Sequence, residues 1–186
     1  MAETTFDKSS LAWTLTWDPD WVSAVAFVGK TRRVAAGNNL GQILVWELPE
    51  KPGGDPPKPI RRLDGHSNVI SRLVATSDGK WLISASYDHT IRIWDMAAST
   101  SGSAEIVLNA RAIAYAEERK RNGAKVPPPL PAKVELQTAT HVVGLHKEWV
   151  SNVSLTRDEK QVLSGDDGGN VILWDLAERK EIRRWK

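Results

Sequence analysis

His66, Ser84 and Asp88 fall within 22 residues of one another (88 − 66), and they are the residue types of a nucleophilic triad. In such a triad a histidine takes the serine proton while an acid orients the imidazole. That chemistry needs an exposed serine beside a pocket with oxyanion donors, often on a G-x-S-x-G elbow. Here the serine stands mid-strand in WLISAS (81–86), between apolar neighbours, and SAS is no such elbow. With Trp94 added, the same groups read as a structural hydrogen-bond chain. Asp88 in a tight turn accepts, His66 bridges it to Ser84, and the Trp94 indole N–H is the terminal donor. The structural reading is the better supported, and no catalytic residue is assigned.

Other chemistries find little footing. The chain holds no cysteine, which removes disulfides, thiolate zinc sites and a cysteine nucleophile. No His/Asp/Glu group has metal-ligand spacing, and GDDGGN (165–170) reads as a hairpin turn rather than a phosphate loop, so neither metal nor cofactor is expected. The 25 basic and 23 acidic side chains leave a net charge of +2, too balanced to argue for nucleic acid. Basic clusters do occur at Arg32–Arg33, Lys58–Arg61–Arg62, Arg119–Lys120–Arg121 and Arg179–Lys180 with Arg183–Arg184. Acidic residues interleave most of them, which describes a solvated surface. MAETTFDKSSLAW lacks the pattern of a secretory signal, and no run approaches the roughly 20 apolar residues of a membrane span. A cytoplasmic protein with no membrane contact is the expectation.

Nine tryptophans in 186 residues point to a repeated position, and three segments end alike: QILVWE (42–47), TIRIWD (90–95) and NVILWD (170–175). His66 precedes Trp94 by 28 residues (94 − 66), and His146 precedes Trp174 by the same 28 (174 − 146). Counting back equally from Trp46 reaches Asp18, so three copies align without a gap. Each copy has an alternating run (VSAVAFV, VISRLVA, VSNVSLT), a polar turn (GKT, SDGK, RDEK), a second run (RRVAAG, WLISAS, QVLSG) and the Trp run. A fourth strand is placed in PIRRLDGH, KVELQTAT and KEIRRWK. Four short antiparallel strands per repeat make a propeller blade.

On these residues the chain resembles the WD-repeat β-propeller family. GH at 65–66, SDGK and SASYDHTIRIWD match it closely, and LHKEWVSNVSL with LSGDDGGNVILWD match it well; the first copy keeps only its spacing, VSAVAFV and AAGNNLGQILVWE. The resemblance implies an all-β fold of three four-stranded blades in a single partial propeller, 1–186, with one short helical insertion. Its parts are an outer strand at 11–17, a degenerate blade at 18–63, a second blade at 64–141 with an insertion at 97–133, and a third at 142–186. It also implies that His66, Ser84, Asp88 and Trp94 form a structural tetrad. His146, Ser164 and Trp174 form a second one, in which Gly168 takes the Asp place and Asp167 stands one residue early. The first copy retains only Trp46, with Ala36 and Leu40 at the other positions.

Three blades are fewer than the four to eight of closed propellers. Further blades, from a longer chain or from other copies, are therefore expected partners. The resemblance implies a non-catalytic protein–protein interaction scaffold without cofactors, with nucleic-acid binding through the basic clusters as the alternative. Family contacts fall on the upper face, at positions that here are Trp21, Ser71, Tyr87, Trp149, Ser151 and Asp167, together with Ser23, Asn39 and Val69. Residues 47–62 hold five prolines and read as an extended loop. Residues 104–122 are rich in helix formers, with Ile106, Ala110 and Ile113 on one face and Gly123 as a stop, and KVPPPLPAK (125–133) follows. This insertion is either a docking element or padding on its own blade, and the second reading is preferred.

Overall fold

A computed structural model describes residues 12–15, 17, 21–51, 53–100, 102–105, 117–118, 120–123, 133–138 and 141–186. The described residues form strands β1 (Val22–Phe27), β2 (Arg33–Asn38), β3 (Ile43–Glu47), β4 (Pro59–Asp64), β5 (Ile70–Ala75), β6 (Trp81–Ser86) and β7 (Thr90–Asp95). They continue with β8 (Gly102–Glu105), β9 (Lys133–Thr138), β10 (His141–Leu145), β11 (Val150–Leu155), β12 (Gln161–Asp166), β13 (Val171–Asp175) and β14 (Lys180–Trp185). Three antiparallel blades result: β1-β2-β3-β4, β5-β6-β7-β10 and β11-β12-β13-β14. The ring is open between the first and third.

β3 and β6, middle strands of the first two blades, are buried on both faces, which is why ILVW and WLI read as continuous apolar runs. One face of a blade carries its Trp and packs on the plain face of the blade before it. Ala35, Ile43, Val45 and Leu63 of the first blade share a core with Ile70, Leu73, Leu82 and Trp94 of the second. Ile83, Ala85, Ile91 and Ile93 then meet Val150, Val153, Val162, Ile172 and Trp174 of the third. Serine hydroxyls staple the inner strands across these boundaries: Ser23 Oγ donates to the Ile70 carbonyl at 2.7 Å, and Ser71 Oγ to that of Val150 at 2.5 Å.

The fourth strand of the second blade is not KVELQTAT. It is HVVGL, β10, which pairs with β7, so the boundary with the third blade falls after Leu145 rather than at 141. KVELQT forms β9 and leaves the second blade altogether. It runs parallel to β4 on the outer edge of the first blade, and β8 adds beyond it. Both runs are short and rich in valine or leucine, so composition alone does not choose between them; Gln137 does. Its amide donates to the Asp95 carbonyl at 2.7 Å and its oxygen accepts from Arg61 at 2.8 Å, a pair of partners found beside β4. The insertion thereby covers an edge that would otherwise expose unpaired backbone.

The helix expected from residue 104 does not begin there, because 104–105 belong to β8. Residues 117, 118, 120 and 121 are helical and end at Gly123 (φ +70°), while 106–116 lie outside the described residues. The stretch 11–17 is described at 12–15 and 17, which join no strand. Leu15 and Trp17 instead lie on Ala36, Leu44 and Trp46, with the Trp17 ring edge-on to Trp46 at 6.0 Å.

Candidate functional site

In the second blade, β6 and the turn after it aim Ser84 and Asp88 at His66, which enters on the loop following β4. His66 Nε2 lies 2.7 Å from Ser84 Oγ and Nδ1 lies 2.8 Å from Asp88 Oδ2. The Trp94 indole N–H donates to the same Ser84 oxygen at 2.9 Å. With the imidazole proton on Nδ1 every donor points the same way, indole to hydroxyl to imidazole to carboxylate. Asp88 also accepts from the Thr90 hydroxyl (2.6 Å) and from the backbone N–H of Thr90 (3.0 Å) and Ser67 (3.1 Å). Burial lowers the His66 pKa against the pull of Asp88 and keeps the ring neutral. Burial alone would raise Asp88, but its bond with His66, together with those from Thr90 and Ser67, outweighs burial and holds the carboxyl well below the usual range. Ser84 is fully buried and its oxygen is already an acceptor, so it faces no space for a substrate.

The third blade repeats this geometry with one change of residue. His146 Nε2 lies 2.8 Å from Ser164 Oγ, and the Trp174 indole donates to that oxygen at 2.8 Å. The carboxylate beside Nδ1, at 2.9 Å, belongs to Asp166 rather than to Asp167 or to position 168. Strand alternation gives the reason: 164 and 166 share a face, whereas Asp167 points into solvent. Asp166 also caps the turn, accepting from the Gly168 and Asn170 N–H groups and from the Asn170 side chain. Asn38 and Ser86 cap the equivalent turns, accepting from Leu40 N–H and Asp88 N–H. The signal for Asp166 was therefore in the sequence, as the second residue after Ser164 on the same face.

In the first blade Ala36 stands in the serine place, and the buried Trp46 indole nitrogen has no hydrogen-bond partner among the described residues. Asp18, its counterpart of the histidine, lies outside them.

The upper rim gathers the aromatic positions. The N–H groups of Asn39, Tyr87 and Asp167 bond to the carbonyls of Trp21, Val69 and Trp149 respectively, which brings each turn beside the start of its inner strand. Tyr87 of the second blade consequently stacks on Trp149 of the third, with ring centroids 5.0 Å apart and planes 13° from parallel. Trp149 is 49% exposed and Trp21 73%. Ser151 and Asp167 are exposed on the same rim, whereas the Ser71 hydroxyl is committed to Val150.

The arginines of the basic clusters mostly face carboxylates: Arg32 and Arg33 approach Glu47, Arg62 pairs with Asp64 and Arg184 with Glu181. Arg119 lies outside the described residues. No group of three or more metal-ligating side chains occurs among the described residues.

The WD40 family, described as WD domain, G-beta repeat, matches residues 57–95 and 137–175. Among curated relatives, Target of rapamycin complex subunit LST8 of Saccharomyces cerevisiae is 38% identical over 63 residues, 34% of this chain and 21% of that protein. Small ribosomal subunit protein RACK1 of Drosophila melanogaster is 35% identical over 79 residues, 42% of this chain and 25% of that one. Cross-pathway control WD-repeat protein 2 of Flammulina velutipes is 34% identical over 77 residues, 41% and 24% respectively. The matched part spans about a quarter of each relative.

Proposed function

Two WD repeats lie in this chain, at 57–95 and 137–175, and from that premise we propose that it is a non-catalytic scaffold that binds protein partners through its upper rim. The observation that carries the reading is the Tyr87–Trp149 stack beside exposed Trp21. Large, rigid aromatics with a polar tip are the residues that dominate protein interfaces, and a stacked pair is already ordered before a partner arrives. Ser151 and Asp167 supply polar contacts around them. The buried Ser84 and Ser164 support the non-catalytic part of the reading, since each is occupied by an indole and an imidazole. By name, two of the relatives are a ribosomal protein and a subunit of a complex, which agrees with a role in assembly. Blades beyond these three, in a longer chain or in other copies, and a cytoplasmic setting belong to the same reading.

The test is affinity capture with the intact chain and with Trp149→Ala and Trp21→Ala. Both substitutions lie on the surface, so melting stays near that of the parent while partner recovery falls at least tenfold. Recovery unchanged in both variants would remove the rim from the interface.

A further inference from the structure

At the end of the strands opposite the rim, the turns after β1 and β5 border an open cleft of about 520 Å³ between the first and second blades. Arg32, Arg33 and Arg61 line it from the first blade and Lys80 from the second, together with Glu47, Asp78 and Met96. Arg33 Nη1 donates to the Met96 carbonyl at 3.4 Å, and Arg61 Nη1 donates to the same oxygen at 3.2 Å. Two guanidinium groups thus converge on one uncharged acceptor. The carboxylates stand off: Glu47 is 3.9 Å from Arg32 and 3.7 Å from Arg33, and Glu135 is 4.0 Å from Arg61. Other arginines make close pairs, 2.8 Å for Arg62 with Asp64 and 2.7 Å for Arg184 with Glu181. Asp78 Oδ1 is already engaged, accepting from the Thr76 hydroxyl and the Lys80 N–H.

The two converging arginines are not part of the blade plan. The corresponding cleft between the second and third blades keeps the acid and the lysine of the turn, as Asp158 and Lys160. There Trp81 takes the place of Arg33 (81 − 33 = 94 − 46). His141 takes that of Arg61, lying opposite Ile93 as Arg61 lies opposite Val45. Arg61 is also built in. Its side chain is 14% exposed, and the buried Gln137 of β9 accepts from its Nη1 at 2.8 Å, so its fork is placed before any ligand arrives. Burial lowers the Arg61 pKa below the ordinary arginine value; Glu135 opposes that, and the neighbouring Arg33 charge adds to it. An anion in the cleft would relieve both.

We propose that this cleft binds a phosphate monoester, the phosphorylated serine or threonine of a protein partner. Its lining carries four cations and two carboxylates, an excess of two positive charges (4 − 2). A phosphate dianion matches that excess, and a single carboxylate meets half of it. Guanidinium forks are shaped for phosphate oxygens, and here two of them meet from different strands. Pockets for small ligands are mostly apolar and enclosed. This cleft is open and has no aromatic side chain in its lining, so the group it takes arrives on a chain that is held elsewhere as well. Clusters of arginine recognise phosphorylated motifs in that manner. The site lies away from Trp21, Tyr87 and Trp149 and does not rest on the rim contacts.

Titration of the nitrogen-labelled chain with N-acetyl-O-phosphoserine amide tests it, followed through the backbone resonances of Gly79, Lys80 and Ala97. The expected result is a saturable shift, about tenfold weaker when N-acetylglutamate amide is the probe. Arg33→Gln and Arg61→Met each weaken phosphoserine binding about tenfold, while Arg157→Gln in the third blade leaves it unchanged. Glu47→Gln tightens it, because a competing carboxylate is gone. Circular dichroism checks folding, and Arg33→Gln, at a side chain 35% exposed, decides alone should Arg61→Met unfold. Absence of saturation, equal binding of the glutamate probe, or undiminished affinity in Arg33→Gln overturns the proposal. So does a chain that ignores the phosphoserine probe yet binds phosphatidylcholine vesicles carrying a phosphoinositide, which assigns the cleft to a membrane surface. Partner capture with the Trp149 and Trp21 variants is read separately, so the rim and the cleft stand or fail independently.

Discussion

Ser84 joins a donor and an acceptor that have nowhere else to turn: its oxygen accepts from the Trp94 indole N–H and its hydroxyl donates to His66 Nε2. Ser84→Ala leaves both groups buried and unpaired, and the chain should lose about 2 kcal/mol, read from the urea midpoint. Ala36→Ser is the reverse experiment. A hydroxyl at that position stands where Ser84 stands relative to its own tryptophan, so it supplies the missing acceptor to Trp46 and adds about 1 kcal/mol. Acid acts on the same group of residues. Burial holds His66 of the folded chain below the ordinary histidine range, so the unfolded chain binds a proton that the folded one refuses, and stability declines as pH falls through that range. Asp88, held below 3.8, withdraws a second contribution as pH falls below that value. The melting curve of the parent minus that of His66→Asn, followed from pH 7.5 to pH 3, should show both losses. Of these residues, the Ser84 network was legible because spacing from the tryptophan fixes its members. Asp166 was overlooked, because gapless alignment put Gly168 in the acid place although strand alternation from Ser164 pointed two residues earlier.

At the scale of strands, what the sequence made plain was alternation, and what it concealed was partnership. Three copies of turn and strand could be read from Trp46, Trp94 and Trp174. KVELQT and HVVGL both fit a fourth strand, and the choice was made by groups far off in sequence, the Asp95 carbonyl and Arg61. The beginning of the insertion misled for a related reason. Helix propensity at 104–105 is weak against the ladder that β8 makes with β9. β10 earns its place beside β7 through a glycine. Gly144 lies under the Trp174 ring, and a methyl group there would stand 2.4 Å from it, so Gly144→Ala should cost about 1–3 kcal/mol through displaced packing. Denaturant titration of that variant would show it, and the loss should be accompanied by a changed near-ultraviolet signal from Trp174.

Across the molecule, the second blade is covered on both sides and the outer two on one side each. Local opening is expected to follow that order, with the ends opening at lower free energy than the middle. The repeat has placed one indole at the same depth in every blade, and the three differ in what their nitrogen touches. Trp94 and Trp174 are held by serine, and Trp46 by nothing among the described residues. Each blade thus carries its own resonance in a proton–nitrogen spectrum, and the three signals form an internal clock. In deuterated buffer the Trp46 signal should fade first, and that of Trp94 last. A chain read blade by blade in this way needs no label, and the order of fading ranks the blades by how firmly each is shut.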